Sequence, residues 1–146
     1  MTPRVFRPQL VQAKLRLLQR LLQELEGLGQ LTRDRLEAEP VVRLALERLL
    51  TQLVDVAVSV NTHVATAILS RAPASYHESF LLAAQSGAIP DALAEQLAPS
   101  AGLRNRLVHQ YDTIDLDVVA AASAQALSDY RAYLRAVARF LAARGD

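Results

Sequence analysis

The chain has 146 residues, 51% of them hydrophobic, and its 16 basic and 15 acidic side chains leave a net charge of +1. This length fits a single domain, residues 1–146, with enough apolar residues for a packed core. Because there is no cysteine, disulfides and thiolate metal sites are excluded, and the small net charge means that any contact with nucleic acid must be local.

The spacing of leucine and valine predicts a first long helix over residues 9–28. Apolar residues alternate spacings of four and three along one stripe, and a second stripe lies beside it. Two adjoining stripes are typical of a bundle helix that contacts two neighbours. The first stripe contains Val11, Leu15, Leu18, Leu22 and Leu25, and the second contains Leu10, Leu17, Leu21 and Leu28.

A second long helix is predicted from Pro40 to about Ser70. Thr32 is suited to cap a short turn before it, and proline is favoured in the first turn of a helix. The apolar stretch 49–69 has the length of a membrane span, but it contains charged and polar residues that a spanning helix disfavours. We therefore expect no membrane segment, and the N-terminus has no apolar core of a signal peptide, which favours a cytoplasmic protein.

Three polar residues, Asp55, Asn61 and His63, interrupt this apolar helix. Buried polar groups need hydrogen-bond partners, so we expect these side chains to satisfy one another or to line a dimer interface. Asp55 is also a candidate for supporting the site described below. His77 lies in a polar stretch and is expected at the surface.

Three shorter helices are predicted between residues 75 and 110. Ser75 and Glu78 form a capping box that opens the first of them, and Gly87 closes it. The second helix begins at Pro90, and the third covers residues 99–110.

The last helix is predicted over residues 117–143. Its expected inward positions are Val118, Ala122, Leu127, Tyr130, Leu134, Val137 and Leu141. The predicted fold is therefore all-α, an antiparallel four-helix-type bundle with short extra helices before its final pair.

The residues that carry chemistry cluster in the third short helix and just after it. Arg104, Asn105, Arg106, His109 and Tyr111 lie within eight positions. A histidine can transfer protons near neutral pH, and an arginine can bind a phosphate that gains charge in a transition state. These groups suffice for metal-free RNA cleavage, in which a 2′-hydroxyl attacks its own phosphate. On composition alone, a solvated helix end with a capping network explains them equally well.

Several other kinds of site have no counterpart in the sequence. There is no Gly-x-Ser-x-Gly nucleophile motif and no glycine-rich phosphate loop. The Glu-x-x-His pairs that di-iron bundles require do not occur. We therefore predict neither a metal centre nor a cofactor.

The segment Arg104-Asn105-x-x-x-His109, with Tyr111 two positions on, resembles the Arg–four residues–His–x–Tyr motif of the HepT toxins, members of the HEPN superfamily. The stretch beginning Ala45-Leu-Glu-Arg-Leu-Leu is similar to the long second helix of that family. Ser75-Tyr-x-Glu-Ser-Phe, Gly87-x-Ile-Pro and Gly102-Leu-Arg-Asn-Arg-Leu-Val-His resemble its later landmarks, in the same order. The resemblance covers most of the chain.

The resemblance implies a dimeric HEPN-like bundle that is a metal-independent endoribonuclease toxin of a toxin–antitoxin pair. It also implies a nucleotidyltransferase antitoxin of the minimal (MNT) type, which adds AMP to the motif tyrosine, here Tyr111. Arg104 is then expected to contact the phosphate and His109 to act as general acid or base. Asn105 is expected to orient His109 or the ribose, and Arg106 to add a weak RNA contact.

Each role has a structural alternative. Arg104 has the alternative of a salt bridge to Asp112 or Asp115, and His109 that of a partly buried helix-end residue bonded to a carbonyl. Tyr111 has the alternative of an aromatic wedge against the last helix. For the whole protein, the alternative is a non-catalytic HEPN-like bundle that binds nucleotide or serves as the partner subunit of a nucleotidyltransferase.

An ideal helix places Arg104 and His109 about 140° apart around its axis. One such helix does not aim both side chains at one phosphate. A two-fold interface brings a second Arg104 and a second His109 to the same cleft. We therefore expect a composite site at a homodimer interface.

Overall fold

The computed structural model describes residues 5–144, which form helices and connecting turns without any strand. The helices are α1 (Pro8–Gly27), α2 (Arg33–Ala38), α3 (Pro40–Val64), α4 (Tyr76–Gln85), α5 (Asp91–Leu97), α6 (Pro99–His109) and α7 (Leu116–Ala143). A π-helical turn, Ala65–Leu69, extends α3. The all-α prediction is confirmed, and the predicted helix boundaries agree with these within a few residues, apart from the end of α3.

The four principal helices α1, α3, α6 and α7 alternate in direction. The start of α1 meets the end of α3, because the Arg7 N–H donates to His63 Nε2 at 3.0 Å. Helix α6 runs antiparallel to α3, since Arg104 bonds to Asp55 whereas Tyr111 bonds to Arg43. The short helices α4 and α5 form the predicted insertion before the final pair.

Local signals in the sequence explain where these helices begin and end. Thr32 Oγ1 accepts from the Arg35 N–H, and Ser75 Oγ accepts from the Glu78 N–H. The Glu78 carboxylate accepts from the Ala74 N–H at 3.1 Å. The second hydrogen bond of the capping box therefore forms at the residue before the N-cap Ser75. Gly87 has a φ of 91°, which favours glycine and ends α4.

Helix α3 lies at the centre of the bundle and contacts α1, α2, α4, α6 and α7. Apolar residues of α3 that are spaced by three and four positions are buried except for the partly covered Val42, and the first stripe of α1 is buried throughout. The buried ones are Leu46, Leu49, Leu53, Val60 and Val64. Two expected inward positions are wrong: Leu10 is 45% exposed and Val118 is 38% exposed. Both lie in the first turn of their helices, where neighbouring helices cover less of the stripe, and Val119 takes the core position in α7.

A polar network joins the middle of the bundle. The Tyr133 hydroxyl donates to Asn61 Oδ1 at 2.6 Å, and the Asn61 amide donates to Ser79 Oγ at 3.2 Å. Burial raises the pKa of both Tyr130 and Tyr133, because a phenolate would lose its hydration there. Both tyrosines therefore remain neutral and act as hydrogen-bonding parts of the core.

Within residues 5–144, no helix is long and apolar enough to cross a membrane. This agrees with the interpretation of residues 49–69 as a bundle helix.

Candidate active site

Helix α6 carries most of the predicted site. It begins with Pro99 in its first turn, and Ala101 and Leu107 anchor it by burial against the rest of the bundle. Its last turn ends at His109, where the Gln110 N–H bonds to the Arg106 carbonyl at 2.7 Å. The predicted arginines, asparagine and histidine therefore share one helix, and Tyr111 follows in the turn.

Arg104, on α6, is held by contacts with α3 and α4. Its Nε donates to Asp55 Oδ1 on α3 at 2.9 Å, and its guanidinium carbon lies 5.0 Å from the centre of the Tyr76 ring, at the start of α4. The Arg104 side chain is 21% exposed, so part of the guanidinium still reaches solvent. The predicted alternative, a salt bridge to Asp112 or Asp115, is wrong.

This arrangement occupies only part of the hydrogen-bonding capacity of Arg104. A guanidinium has five N–H donors, and the described contact with Asp55 uses the one on Nε. The terminal nitrogens retain the fork that suits a phosphate or carboxylate. Arg104 is thus fixed in position and still able to bind an anion.

His109 is exposed at the end of α6. Its imidazole has no hydrogen bond or ion pair with any residue in the described range 5–144. The alternative of a partly buried histidine bonded to a carbonyl is therefore wrong. Asn105 and Arg106 are exposed as well.

The structure does not bring Arg104 and His109 to a common point within one chain. Five positions of helix separate them, which corresponds to about 7.5 Å along the axis and about 140° around it. Arg104 is directed at α3 and α4, whereas His109 faces solvent. A site that uses both groups on one phosphate needs a second copy of the chain or a distortion of α6.

Tyr111 lies in the turn between α6 and α7 and is 61% exposed. Its backbone carbonyl accepts from Arg43 Nη2 at 2.9 Å, and Arg43 is held in turn by Glu47 at 2.9 Å. The alternative of a wedge packed against α7 is wrong. The ring is instead presented to solvent on a turn that is tied to the start of α3.

An exposed apolar surface lies near this turn. Val41 and Leu44, on the first turns of α3, are 79% and 65% exposed, and Val108 on α6 is 40% exposed. The Arg43–Tyr111 hydrogen bond places the start of α3 beside the end of α6. Such a cluster next to the motif is typical of an interaction surface.

The first of the two sequence expectations for the polar residues of α3, that they satisfy one another, is wrong, and the second, a place in a dimer interface, stays a prediction. Asp55 pairs with Arg104, Asn61 bonds to Tyr133 and Ser79, and His63 accepts from the backbone of Arg7. Each residue thus connects α3 to a different part of the bundle. His77 is exposed, as expected.

Sequence reasoning did not predict that two residues contact Arg104. Asp55 was considered only as a minor supporting residue, and Tyr76 was noted only within the resemblance. The available signal was an aspartate on an otherwise apolar stripe, because a charge there requires a partner. No group of three or more His, Asp or Glu residues within 5–144 is arranged to hold a metal ion.

The described residues form an all-α bundle whose motif helix, α6, carries Arg104 and His109. Residues 18–137 match the ribonuclease HepT-like family. The chain is 33% identical over 134 residues to the tRNA nuclease HepT of Aphanizomenon flos-aquae, covering 92% of this chain and 91% of that protein. It is 29% identical over 113 residues to the mRNA nuclease HepT of Shewanella oneidensis, covering 77% and 82% of the two chains.

Two solved structures share the fold. One is the tri-AMPylated HEPN toxin of Shewanella oneidensis in complex with its MNT antitoxin, with a TM-score of 0.79 and 20% identity over 88% of this chain and 96% of that one. A toxin–antitoxin structure with AMP-PNP gives a TM-score of 0.80 at 20% identity, covering 90% and 98%. This protein belongs to the ribonuclease HepT-like family. The predicted resemblance and the ribonuclease class are thereby confirmed.

Proposed function

We propose that this protein is a metal-independent endoribonuclease toxin that cleaves RNA with Arg104 and His109 at a homodimer cleft. The observation that carries the proposal is the guanidinium of Arg104, held by Asp55 and Tyr76, on the helix that presents the exposed His109. Within residues 5–144 its terminal nitrogens have no hydrogen-bond partner. The curated relatives, which are named as tRNA and mRNA nucleases, support RNA as the substrate class. The cytoplasm is the compartment where we expect it to act.

The chemistry requires only groups that the chain and the RNA supply. The 2′-oxygen forms a bond to the adjacent phosphorus, the bond from phosphorus to the 5′-oxygen breaks, and a 2′,3′-cyclic phosphate and a 5′-hydroxyl result. The imidazole of His109 takes the proton from the 2′-hydroxyl or gives one to the leaving 5′-oxygen, and water or a second imidazole performs the other transfer. Arg104 stabilises the charge that develops on the phosphate.

In this proposal a second copy of the chain supplies the geometry that one chain lacks. The contacts with Asp55 and Tyr76 direct Arg104 away from the His109 of its own chain. The exposed Val41, Leu44 and Val108 offer an apolar surface near the motif. We expect a two-fold axis through this surface to bring each Arg104 towards the partner's motif. Asn105 and Arg106, exposed on α6, supply further contacts to the RNA in this arrangement.

Asp55 acts in this proposal as a positioning residue for Arg104. We expect Asp55→Ala to lower kcat for RNA cleavage about tenfold to a hundredfold, because Arg104 loses its fixed direction. Asp55→Asn keeps an oxygen that accepts from Nε and is expected to restore most of the rate. Steady-state kinetics separates the two variants, with exposed Glu95→Ala as the control. Equal kcat in Asp55→Ala and wild type would contradict this role.

The partner in this proposal is an MNT-type nucleotidyltransferase antitoxin that adenylylates Tyr111. The tri-AMPylated state of the similar toxin and its complex with an MNT antitoxin support the assignment of that partner class. The exposure of Tyr111 on a turn directly after His109 supports its accessibility to another protein. An attached AMP would place a negative phosphate and a base beside Arg104 and His109, and so block RNA by occupancy and charge.

Tyr111→Phe tests the modification separately from catalysis. The variant keeps the aromatic ring and lacks the hydroxyl that accepts AMP, so we expect it to remain toxic when the nucleotidyltransferase is co-expressed. Wild type should be neutralised under the same conditions, and intact mass should show added AMP only on wild type. Tyr76, which lies under Arg104, should remain unmodified. Full neutralisation and AMP addition in Tyr111→Phe would overturn the assignment.

A further inference from the structure

The ion pairs of this protein are distributed unevenly over its surface. Four arginines of the α2–α3 region and of the candidate site have acidic partners: Arg33 with Glu37, Asp115 and Asp117, Arg35 with Glu39, Arg43 with Glu47, and Arg104 with Asp55. Arg48 and Arg106 have no such partner within residues 5–144. The outer part of the α1–α7 pair differs. Residues 8–20 and 131–144 contain no aspartate or glutamate. They contain seven basic residues: Lys14, Arg16, Arg20, Arg131, Arg135, Arg139 and Arg144.

These two segments lie side by side and antiparallel, and they form a continuous groove that we call the α1–α7 groove. One depression of about 640 Å³ is lined by Arg16, Gln19, Gln23 and Glu26 of α1 and by Arg131 and Arg135 of α7. A second of about 650 Å³ shares Leu15, Arg16 and Ala138 with the first and continues to Gln12 and Arg144. Arginine and glutamine donors thus follow the whole length of the groove.

Only the ends of the groove are engaged by other side chains. Arg131 forms an ion pair with Glu26 at one end. At the other, the guanidinium of Arg144 lies 4.7 Å from the Phe6 ring centre and 5.5 Å from that of Phe140. Between them, Arg16 and Arg135 line the groove and have no acidic partner within residues 5–144. Arg139 lines neither depression, but it is exposed one turn beyond Arg135 on α7 and likewise has no acidic partner within the described residues.

Like charges four residues apart on a helix destabilise it, and Arg131, Arg135 and Arg139 form such a series. The groove therefore concentrates uncompensated positive charge in a protein whose net charge is only +1. A polyanion removes this repulsion, and arginine and amide donors are the groups that contact nucleic-acid phosphates. The charge and the donor set match a sugar–phosphate backbone.

We propose that the α1–α7 groove binds the backbone of the RNA substrate at a distance from the cleavage site, an inference that rests on the proposed ribonuclease function. Within the described residues α1 makes no contact with α6, so the groove is separate from the motif. Arg135 lies about 25 Å along α7 from Val118, which borders α6. The groove therefore engages only RNA long enough to span this distance, and it favours long structured substrates over short ones.

The test compares a triple variant, Arg16→Gln, Arg135→Gln and Arg139→Gln, with wild type on two RNA probes. The probes are labelled bulk transfer RNA and a labelled RNA of six nucleotides. Binding is measured by fluorescence anisotropy in a His109→Ala background so that no turnover occurs, and cleavage is measured with His109 intact. Arg71→Gln is the matched control, since the Arg71 side chain is exposed and its hydrogen bond within the described residues is to Gln85, away from the groove.

We expect the triple variant to bind transfer RNA roughly tenfold more weakly and to lower the slope of log affinity against log salt by about two. Its kcat and KM on the short RNA should equal those of wild type, and Arg71→Gln should match wild type throughout. Transfer RNA affinity and salt slope unchanged in the triple variant would overturn the proposal. Unchanged RNA affinity with lost binding of the purified nucleotidyltransferase would assign the groove to the protein partner and would also overturn it.

The two RNA probes distinguish failure of the proposed ribonuclease function from failure of RNA binding in the α1–α7 groove. If wild type cleaves neither RNA but binds transfer RNA through these arginines, the ribonuclease function fails while binding in the groove stands. If wild type cleaves both RNAs and the triple variant binds and cleaves both equally well, the function stands and the groove proposal fails.

Discussion

Replacing His109 or Arg104 by alanine is expected to lower the rate of RNA cleavage by about a hundredfold to ten-thousandfold. Loss of His109 removes the group that moves the proton, and loss of Arg104 removes the fixed charge that meets the developing phosphate charge. Both effects arise in the transition state, so kcat should fall more than KM rises. Purified proteins and a labelled RNA provide the measurement.

The controls use the same residue types outside the site. His77 and Arg71 are exposed, and neither has a hydrogen bond or ion pair with α6 within residues 5–144, so His77→Ala and Arg71→Ala should cleave at the wild-type rate. In cells, wild-type expression should slow growth, and Arg104→Ala or His109→Ala should restore it. Toxicity of both variants equal to wild type, with unchanged cleavage in vitro, would contradict the assigned roles.

Mixing the Arg104→Ala and His109→Ala proteins is expected to restore cleavage that neither protein has alone. If the working pair consists of Arg104 from one protomer and His109 from its partner, each mixed dimer contains one intact pair and one doubly altered pair. With free exchange of subunits, half of the dimers are mixed, so the mixture should recover roughly a quarter of wild-type activity. The rate is measured after the two proteins have exchanged subunits under mild conditions.

The negative control is a mixture of either variant with its own kind, which should remain inactive. A second control adds Leu44→Asp to both proteins, because a charge on the exposed apolar surface should weaken dimer formation and the recovery with it. Sedimentation checks the oligomeric state of each sample. Failure of the mixture to recover activity, although sedimentation shows exchanged dimers, would contradict a pair shared between protomers.

Sequence periodicity predicted the helical architecture well because a bundle buries its helices along continuous stripes. The first stripe of α1 and the core of α3 follow spacings of three and four that are read directly from the sequence. Leu10 and Val118 were predicted wrongly because burial at a helix end depends on how far the neighbouring helices extend. The π-helical turn after Val64 also has no local sequence signal, and it shortened the predicted α-helix.

The candidate site was only partly predictable. The resemblance singles out Arg104, His109 and Tyr111, whose roles stay predictions, and Asp55 is a candidate supporting residue from the sequence alone. The alternative partners Asp112 and Asp115 for Arg104 are wrong. Its contacts with Asp55 and Tyr76 depend on the rotation of α3 and α4 about their axes, which is determined by packing across the whole bundle. The exposure of Tyr111 likewise follows from the tertiary placement of the turn, which Arg43 secures from α3.

Incubating purified wild-type protein with RNA in EDTA, and analysing the ends of the products, tests the central claim most directly. Metal-free attack by the 2′-hydroxyl predicts full cleavage in EDTA, with 2′,3′-cyclic phosphate and 5′-hydroxyl ends, and no cleavage of RNA carrying a 2′-deoxy residue at the cut position. Cleavage that stops in EDTA, returns with added magnesium and leaves 5′-phosphate ends would contradict the account.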